Sequence, residues 1–320
     1  MAPKIDVVIV NYRTGPLVVD CLESLAAERA AGLDLRAIVV DNASGDGSAA
    51  TIAAALHARG WDWTLLVRSQ VNGGFGAGNN IGFEIALQRP EQCDFVWLLN
   101  PDTVVMPGAA KSLANFMRDK PSASIVGTSL LEGDSTPWPY AFRFPSILGE
   151  LERGLRIGIA SRLLARNATL RRMGERCERV DWVSGASMAI RTKALRNGLR
   201  FDESFFLYYE ETDLCRQAAR VGLETWYLPS SVVLHIAGQS TGVTGSAAEL
   251  RQVPAYWFES RRLYFRKNHG PIYAALADAV WVASHLVCRA IQTLRGKGSA
   301  DPPRLLRDFL RHCGFVPAWP

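Results

Sequence analysis

The feature that most constrains the fold is an alternation in the first third of the chain. Short β-branched runs, Val7-Val8-Ile9-Val10, Ala37-Ile38-Val39-Val40, Leu65-Leu66-Val67 and Phe95-Val96-Trp97-Leu98-Leu99, are separated by amphipathic stretches long enough to cross over and return. The pattern predicts strands over 6–10, 36–40, 63–68 and 95–99 and helices over 17–31, 48–59 and 81–88. Successive strands joined by helices run parallel, and parallel strands need cover on both faces. The fold class is therefore α/β, a mostly parallel central sheet flanked by helices. Polar and glycine-rich residues follow the strands at Asn11-Tyr12, Asp41-Asn42-Ala43-Ser44 and Asn100-Pro101-Asp102. That is the carboxyl edge, where open α/β sheets bind ligands.

Regularity fades over 129–179, where Pro137, Pro139 and Pro145 precede a basic stretch over 153–176, the mark of a variable insertion. It returns with a bent strand or strand pair over 182–190, a helix over 212–221 and strands over 224–227 and 232–235. Beyond Pro254 the chain reads as helical, with a linker over 296–303 before a short last helix. Residues 1–250 form one catalytic-type unit and 251–320 a helical extension.

A content of 48% hydrophobic and 21% charged residues excludes a disordered or fibrous chain. Six cysteines, none in a C-x-x-C pair, argue against a disulfide framework or structural zinc and for a reducing, cytoplasmic setting. The amino terminus lacks a signal-peptide core. The apolar run over 273–287 is broken by Asp278, Ser284 and His285 and is shorter than the roughly 20 residues of a spanning helix. A formal charge of +5 suits an anionic partner, with phosphorylated substrates, lipid headgroups and nucleic acid all open on that ground.

Five segments carry possible chemistry, and each also has a plain structural explanation. Asn100-Pro101-Asp102 projects a carboxylate from a strand end, as a divalent-cation ligand must, though the same residues make an ordinary turn. Asp41-Asn42-Ala43-Ser44 can accept hydrogen bonds from a nucleoside or simply lead into a capped helix. Asn72-Gly73-Gly74-Phe75-Gly76-Ala77-Gly78-Asn79-Asn80 lets a backbone approach a ligand closely, but it contains neither G-x-G-x-x-G nor a P-loop. Glu210, Glu211 and Asp213 sit at a helix start under the aromatics 205–209, either as a base or as favourable amino-terminal charge. His235 ends an apolar strand beside a small polar loop, where a histidine can ligate a metal or be structural.

In this order and spacing, Val8-Ile9-Val10-Asn11-Tyr12, Val40-Asp41-Asn42-Ala43-Ser44, Asn72 to Asn80, Leu99-Asn100-Pro101-Asp102, Trp182-Val183-Ser184-Gly185-Ala186, Phe206 to Cys215 and His235 resemble glycosyltransferase family 2, inverting enzymes of GT-A fold, in its bacterial rhamnosyltransferase-like branch. The resemblance implies that Asn11, Tyr12, Asp41 and Asn42 hold the nucleoside, and that Asn72, Gly74, Phe75, Asn79 and Asn100 line the donor cleft. Asp102 matches the last acid of the family's D-x-D motif and His235 its second metal ligand, with Mg2+ or Mn2+ as cofactor. Trp182, Gly185 and Ala186 fall on the acceptor side, as does the insertion over 129–179. The family's Glu-Asp pair falls on Glu210-Glu211, which makes Glu211 the expected base.

The implied reaction is metal-dependent transfer of a sugar, L-rhamnose from dTDP-rhamnose or another dTDP- or UDP-sugar, to a hydroxyl of a polyprenyl-diphosphate-linked or cell-surface glycan. A nucleotide-sugar pyrophosphorylase would carry a basic glycine-rich loop after its first strand, where Asn11-Tyr12-Arg13-Thr14 stands. A non-catalytic carbohydrate- or nucleic-acid-binding module is the other alternative, although nucleic acid is not the expected partner. The aromatic and basic segment over 256–267, with the apolar run after it, either lies on an anionic membrane surface or packs on the catalytic unit with its arginines solvated.

Overall fold

The computed structural model describes residues 3–132, 136–138, 141–236, 252–298 and 301–313. The first half runs β1 (Lys4–Asn11), α1 (Gly15–Ala30), β2 (Asp34–Asp41), α2 (Ser48–Arg59), β3 (Thr64–Arg68), α3 (Gly74–Gln88), β4 (Phe95–Leu99), β5 (Thr103–Val105), α4 (Ala109–Asp119) and β6 (Ala123–Leu131). Then follow β7 (Pro137–Trp138), β8 (Ala141–Phe142), α5 (Ile147–Leu155), α6 (Gly158–Leu163), β9 (Leu170–Arg171), β10 (Glu178–Val180), β11 (Trp182–Val183), β12 (Ser187–Arg191) and α7 (Thr192–Arg196). The chain ends with α8 (Glu210–Arg220), β13 (Glu224–His235), α9 (Ala255–His269), α10 (Pro271–Leu294) and α11 (Leu305–His312).

The main sheet has the order β10-β13-β6-β12-β4-β1-β2-β3, with β5 on β13 and β7 on β6. Strands β3, β2, β1 and β4 are parallel, as their apolar runs require, and β12 enters antiparallel between β4 and β6. Residues Val7 to Ile9 and Phe95 to Leu98 are fully buried, because helices cover both sheet faces. A small sheet, β11-β8-β9, takes two of its strands, β8 and β9, from the segment read as an insertion.

Two elements differ from the expected pattern. The strands expected over 224–227 and 232–235 are one strand, β13, whose pairing with β6 slips between Leu228 and Val232. Helix α3 starts at Gly74, seven residues before the expected start at Ile81, so most of the glycine-rich segment is helix. The glycines serve helix–sheet packing: a Cβ on Gly78 would lie 2.7 Å from a Val10 methyl, and one on Gly82 2.4 Å from a Val8 methyl. The low helix propensity of glycine is outweighed by close seating on β1.

Helix α9 packs inward. Phe258, Tyr264 and Phe265 are buried, and Arg261 is 2% exposed, so this arginine is not solvated as expected. Its guanidinium pairs with Glu150 of α5 at 2.9 Å and with Asp278 of α10. Burial pushes the Glu150 carboxyl up, but Arg153 and Arg261 outweigh it and hold the group below its ordinary range. Removing Arg261 would take one cation from Glu150, which keeps Arg153 at 2.7 Å, and one from buried Asp278, a loss of about 3 kcal/mol. Helix α10, at 24 residues, is longer than its sequence suggested and is long and apolar enough to cross a membrane by length and composition. One face of it is nevertheless spent on the protein, through Ala274, Ala277, Asp278, Trp281 and Cys288.

Candidate active site

The carboxyl ends of β1, β2 and β4 converge as the sequence predicted, and hydrogen bonds fix their side chains. Asn11 Nδ2 donates to Asp41 Oδ1 at 2.6 Å and to Ser44 Oγ at 3.1 Å. Its Oδ1 accepts from the Thr14 backbone N–H at 3.1 Å and the Thr14 hydroxyl at 2.9 Å. Asn42 Nδ2 donates to Asn72 Oδ1 at 2.8 Å and to the Gly74 carbonyl at 3.0 Å. Its Oδ1 is buried with no hydrogen-bond partner among the described residues.

Six of the nine residues assigned to the donor, Tyr12, Asn42, Asn72, Gly74, Phe75 and Asn100, line one cleft of about 390 Å³. Asn11 and Asp41 do not line it; they are buried behind it as its frame. Asn79 also stands apart, 1% exposed, its amide donating back to the Phe75 carbonyl at 2.9 Å within α3. Gly74 is required here: its φ is +86°, and a Cβ would lie 1.9 Å from the Phe206 carbonyl oxygen. Phe206, Leu207 and Tyr256 complete the wall.

Strand pairing places the two predicted metal ligands. Residue His235 pairs with Thr103 in the β13–β5 register, and the Ile236 N–H donates to the Asp102 carbonyl at 2.9 Å. His235 Nε2 lies 3.3 Å from Asp102 Oδ1. The geometry is a close approach and not a hydrogen bond, since that buried oxygen has no hydrogen-bond partner among the described residues. Asn100 Nδ2 is 3.4 Å from the same ring nitrogen. A carboxylate oxygen and an imidazole nitrogen turned toward one another without bonding fit a divalent cation between them. No cluster of three or more His, Cys, Asp or Glu side chains suited to a metal occurs among the described residues, so other ligands would come from substrate or water. The loop after His235, residues 237–242, lies outside the described residues.

A second cleft, of about 310 Å³, opens beside the first. Phe142 and Trp182, stacked with ring centroids 4.0 Å apart, line it together with Tyr208, Tyr209 and Trp257. Glu211 lines this cleft and Glu210 does not. The two residues before the helix, Tyr208 and Tyr209, have φ of +69° and +67°, a conformation that costs of order 1–3 kcal/mol each for ordinary side chains. This turn puts Glu210, 3% exposed, inward and swings Glu211 toward the cleft. Each has a buried Oε2 without a hydrogen-bond partner among the described residues.

Burial, and then the charge of Glu211, push the Glu210 carboxyl well above its ordinary range. Burial also raises Glu211, against backbone N–H groups at Glu211, Gly185 and Thr212 that favour its ionised form. Gly185 separates Glu211 from Phe75: its missing Cβ would lie 3.0 Å from the Phe75 ring and 3.8 Å from Glu211 Cβ. The Ala186 carbonyl accepts from the Asn100 N–H at 3.0 Å, joining the Glu211 side of the site to the Asn100–Asp102 loop. Gly185 and Ala186 thus connect the clefts without lining the second one. Asp213, by contrast, is spent on Lys267 at 2.6 Å and Asn268 at 2.9 Å, anchoring α9.

The aromatics over 205–209 reach the cleft through Tyr208 and Tyr209, while Phe142, Arg153 and Trp257 were not expected there. Of the two readings open for the segment over 256–267, packing on the catalytic unit brings Trp257 into this cleft.

The family described as glycosyltransferase like family 2 matches residues 3–270. The chain belongs to glycosyltransferase family 2. An N-acetylglucosaminyl-diphospho-decaprenol L-rhamnosyltransferase of Mycobacterium tuberculosis is 29% identical to the transferase over 309 residues, covering 91% of this chain and 94% of that one. Rhamnosyltransferase WbbL of Escherichia coli is 24% identical over 166 residues, 51% of this chain and 61% of its own. Among solved structures, the mannosyltransferase PcManGT of Pyrobaculum calidifontis, in complex with GDP-Man and Mn2+, superposes with a TM-score of 0.56 at 16% identity, over 96% of this chain and 79% of that one. S. aureus TarS with UDP-GlcNAc gives 0.56 at 14% identity, covering 97% and 79%. The fold is GT-A and the chain is a rhamnosyltransferase-like nucleotide-sugar glycosyltransferase, which removes the pyrophosphorylase and binding-module alternatives.

Proposed function

We propose that the transferase moves L-rhamnose from dTDP-rhamnose to a hydroxyl of a polyprenyl-diphosphate-linked sugar, with inversion, on the cytoplasmic face of a membrane. The rhamnosyl donor and lipid-linked acceptor are supported by the relative that aligns over nearly the whole chain. One observation carries the chemistry: the Glu211 carboxylate, one buried oxygen of which has no hydrogen-bond partner among the described residues, stands in an aromatic cleft next to the cleft that the Asn100–Asp102 loop borders.

In this reading Asn42, Asn72 and Phe75 contact the nucleotide, and Asn11 and Asp41 hold that wall in place. Asp102 and His235 would hold a Mg2+ or Mn2+ ion, which would supply positive charge to stabilise the departing diphosphate. Trp182 and Phe142 offer the acceptor sugar an apolar face and exclude water. Glu211 accepts the acceptor hydroxyl's proton as that oxygen bonds to the anomeric carbon; the bond to the diphosphate oxygen breaks, and its electron pair leaves with dTDP. A carboxyl raised by burial is a stronger base than an exposed glutamate. Burial, then the charge of Glu211, push the Glu210 carboxyl toward its neutral form, which lessens the negative charge beside Glu211. The division into a catalytic unit over 1–250 and a helical extension over 251–320 belongs to the same proposal.

The test is incubation with dTDP-L-rhamnose, Mg2+ or Mn2+, and a short-chain polyprenyl-diphosphate N-acetylglucosamine. The expected result is a rhamnosylated acceptor and one dTDP per transfer, lost in Glu211→Gln. Normal turnover in Glu211→Gln would remove Glu211 from its role, and transfer from another nucleotide sugar alone would reject the donor.

A further inference from the structure

Helix α10 has two unlike faces. Its inner face is locked to the protein by the Asp278–Arg261 ion pair and by Trp281, which stacks on Phe309 of α11 at 3.9 Å. Its outer face presents Ile272, Leu276, Ala283, Val287, Ala290 and Leu294 to solvent, with Ile272 78% and Leu294 88% exposed. At 1.5 Å per residue that stripe is about 33 Å long, without a charged side chain in it.

Beside the carboxyl end of the stripe, α10 and α11 enclose a cleft of about 580 Å³ whose charged lining is Arg289, Arg304, Arg307 and one acid, Asp301, which Arg289 pairs at 3.1 Å. Arg304 and Arg307 are exposed and form no ion pair among the described residues. The wider charge distribution agrees. Segments 141–180 and 252–313 hold 19 Lys and Arg against 8 Asp and Glu, whereas the rest of the chain holds 17 against 23.

We propose that the outer face of α10 lies in the interface of an anionic bilayer, with acidic phospholipid headgroups held in the α10–α11 cleft. Apolar burial and headgroup charge are the two sources of attraction for a helix lying in a membrane interface. The anchored inner face keeps α10 from crossing, since insertion would drag buried Asp278 and its partner Arg261 into hydrocarbon. Position also favours the proposal. Ser284 of α10 sits so close to Gly154 of α5 that a Cβ there would lie 1.9 Å from its hydroxyl, and α5 carries the cleft residues Glu150 and Arg153. The helix that lines the acceptor cleft therefore packs directly against the inner side of α10, at an axis separation of about 8–10 Å. This proposal rests on the lipid-linked acceptor assigned above and adds the surface that brings the enzyme to it.

The test is co-sedimentation of the full chain with vesicles of phosphatidylcholine alone or mixed with phosphatidylglycerol, at low and high salt, alongside transfer to a water-soluble acceptor. Wild type is expected to bind the anionic vesicles and to release as salt rises. The triple variant Ile272→Asp, Leu276→Asp, Val287→Asp should lose about tenfold or more in vesicle partitioning. The pair Arg304→Gln, Arg307→Gln should lose about tenfold of the preference for anionic lipid. Both should keep wild-type transfer to the soluble acceptor. Ile272→Ser with Val287→Ser is the milder variant should the triple aspartate fail to fold. Vesicle binding unchanged in the stripe variants, or absent in wild type at low salt, overturns the proposal. A dimer that the stripe variants dissociate, with no vesicle binding, assigns the face to a second copy. If wild type transfers no rhamnose, the functional reading fails while sedimentation still decides the docking.

Discussion

The donor edge leaves few polar side-chain atoms without a bond, Asn42 Oδ1 being one, whereas the acceptor cleft leaves both of its neighbouring carboxyls one oxygen short among the described residues. At the donor edge Asn11 bonds through both amide atoms, Asp41 accepts from Asn11 and Ser44, and Asn72 accepts from Asn42 and Gly74. In and behind the acceptor cleft, Glu210 and Glu211 each keep a buried oxygen without a partner among the described residues, on a backbone turn of two left-handed tyrosines. The first region is built to be rigid before a ligand arrives. The second stores unfavourable burial and backbone strain at the place proposed for the proton transfer. Residues of the donor edge should therefore register in stability, and those of the acceptor cleft in turnover.

The sharpest test of that contrast is Glu211→Gln, expected to lower kcat by about 10³-fold or more with little change in melting temperature, measured by product formation and thermal unfolding. Because burial raises Glu211, the acid limb of kcat/KM against pH should lie above the ordinary carboxylate range, activity rising with pH as the group ionises. Next comes Gly74→Ala, whose Cβ would sit 1.9 Å from the Phe206 carbonyl, for a stability loss of about 2–4 kcal/mol by denaturant titration. Asn11→Ala leaves Asp41 and the Thr14 amide short of partners, and should cost about 1–3 kcal/mol with kcat largely kept.

Trp182→Ala should raise acceptor KM about three- to tenfold and leave donor binding intact, as read by isothermal titration with dTDP. The smallest effect is expected at Glu210. Its raised pKa means that the folded state keeps a proton the unfolded chain releases near 4.5. The contribution is full below that value and is lost as pH rises through the folded-state pKa. Glu210→Gln should therefore raise the melting temperature near pH 8 more than near pH 4, and a reversed order would move the strain elsewhere.

The first half of the fold was legible because its signal is local. Runs such as Val7 to Val10 and Phe95 to Leu99 are buried on both faces, and nothing else in a short segment produces that pattern. The glycine-rich segment misled for the opposite reason. Its glycines look like a loop until Val8 and Val10 are seen beneath them, a contact across sequence that no window contains. The aromatics after Pro254 misled in the same way, since Tyr256 and Trp257 point into the two clefts and Arg261 is buried between carboxylates from α5 and α10. What the sequence did carry into the site was type and order: acid after β4, histidine at the end of β13, two glutamates at the start of α8. Their proximity is the work of strand pairing and of the Gly185–Ala186 link.

The three-residue pairing of β5 with β13 has a consequence for how a sequence of this kind can vary. Together with the pairing of Val232 to Leu234 on Ser129 to Leu131 of β6, it sets which way His235 points, since strand side chains alternate in direction and a shift of one position would send the imidazole to the opposite side of the sheet. Lengthening the chain between α5 and β9, away from every strand of the main sheet, leaves both alignments untouched, so that stretch can be remodelled without moving the histidine. Deleting a single residue inside either partner strand would erase the histidine from the centre as surely as mutating it.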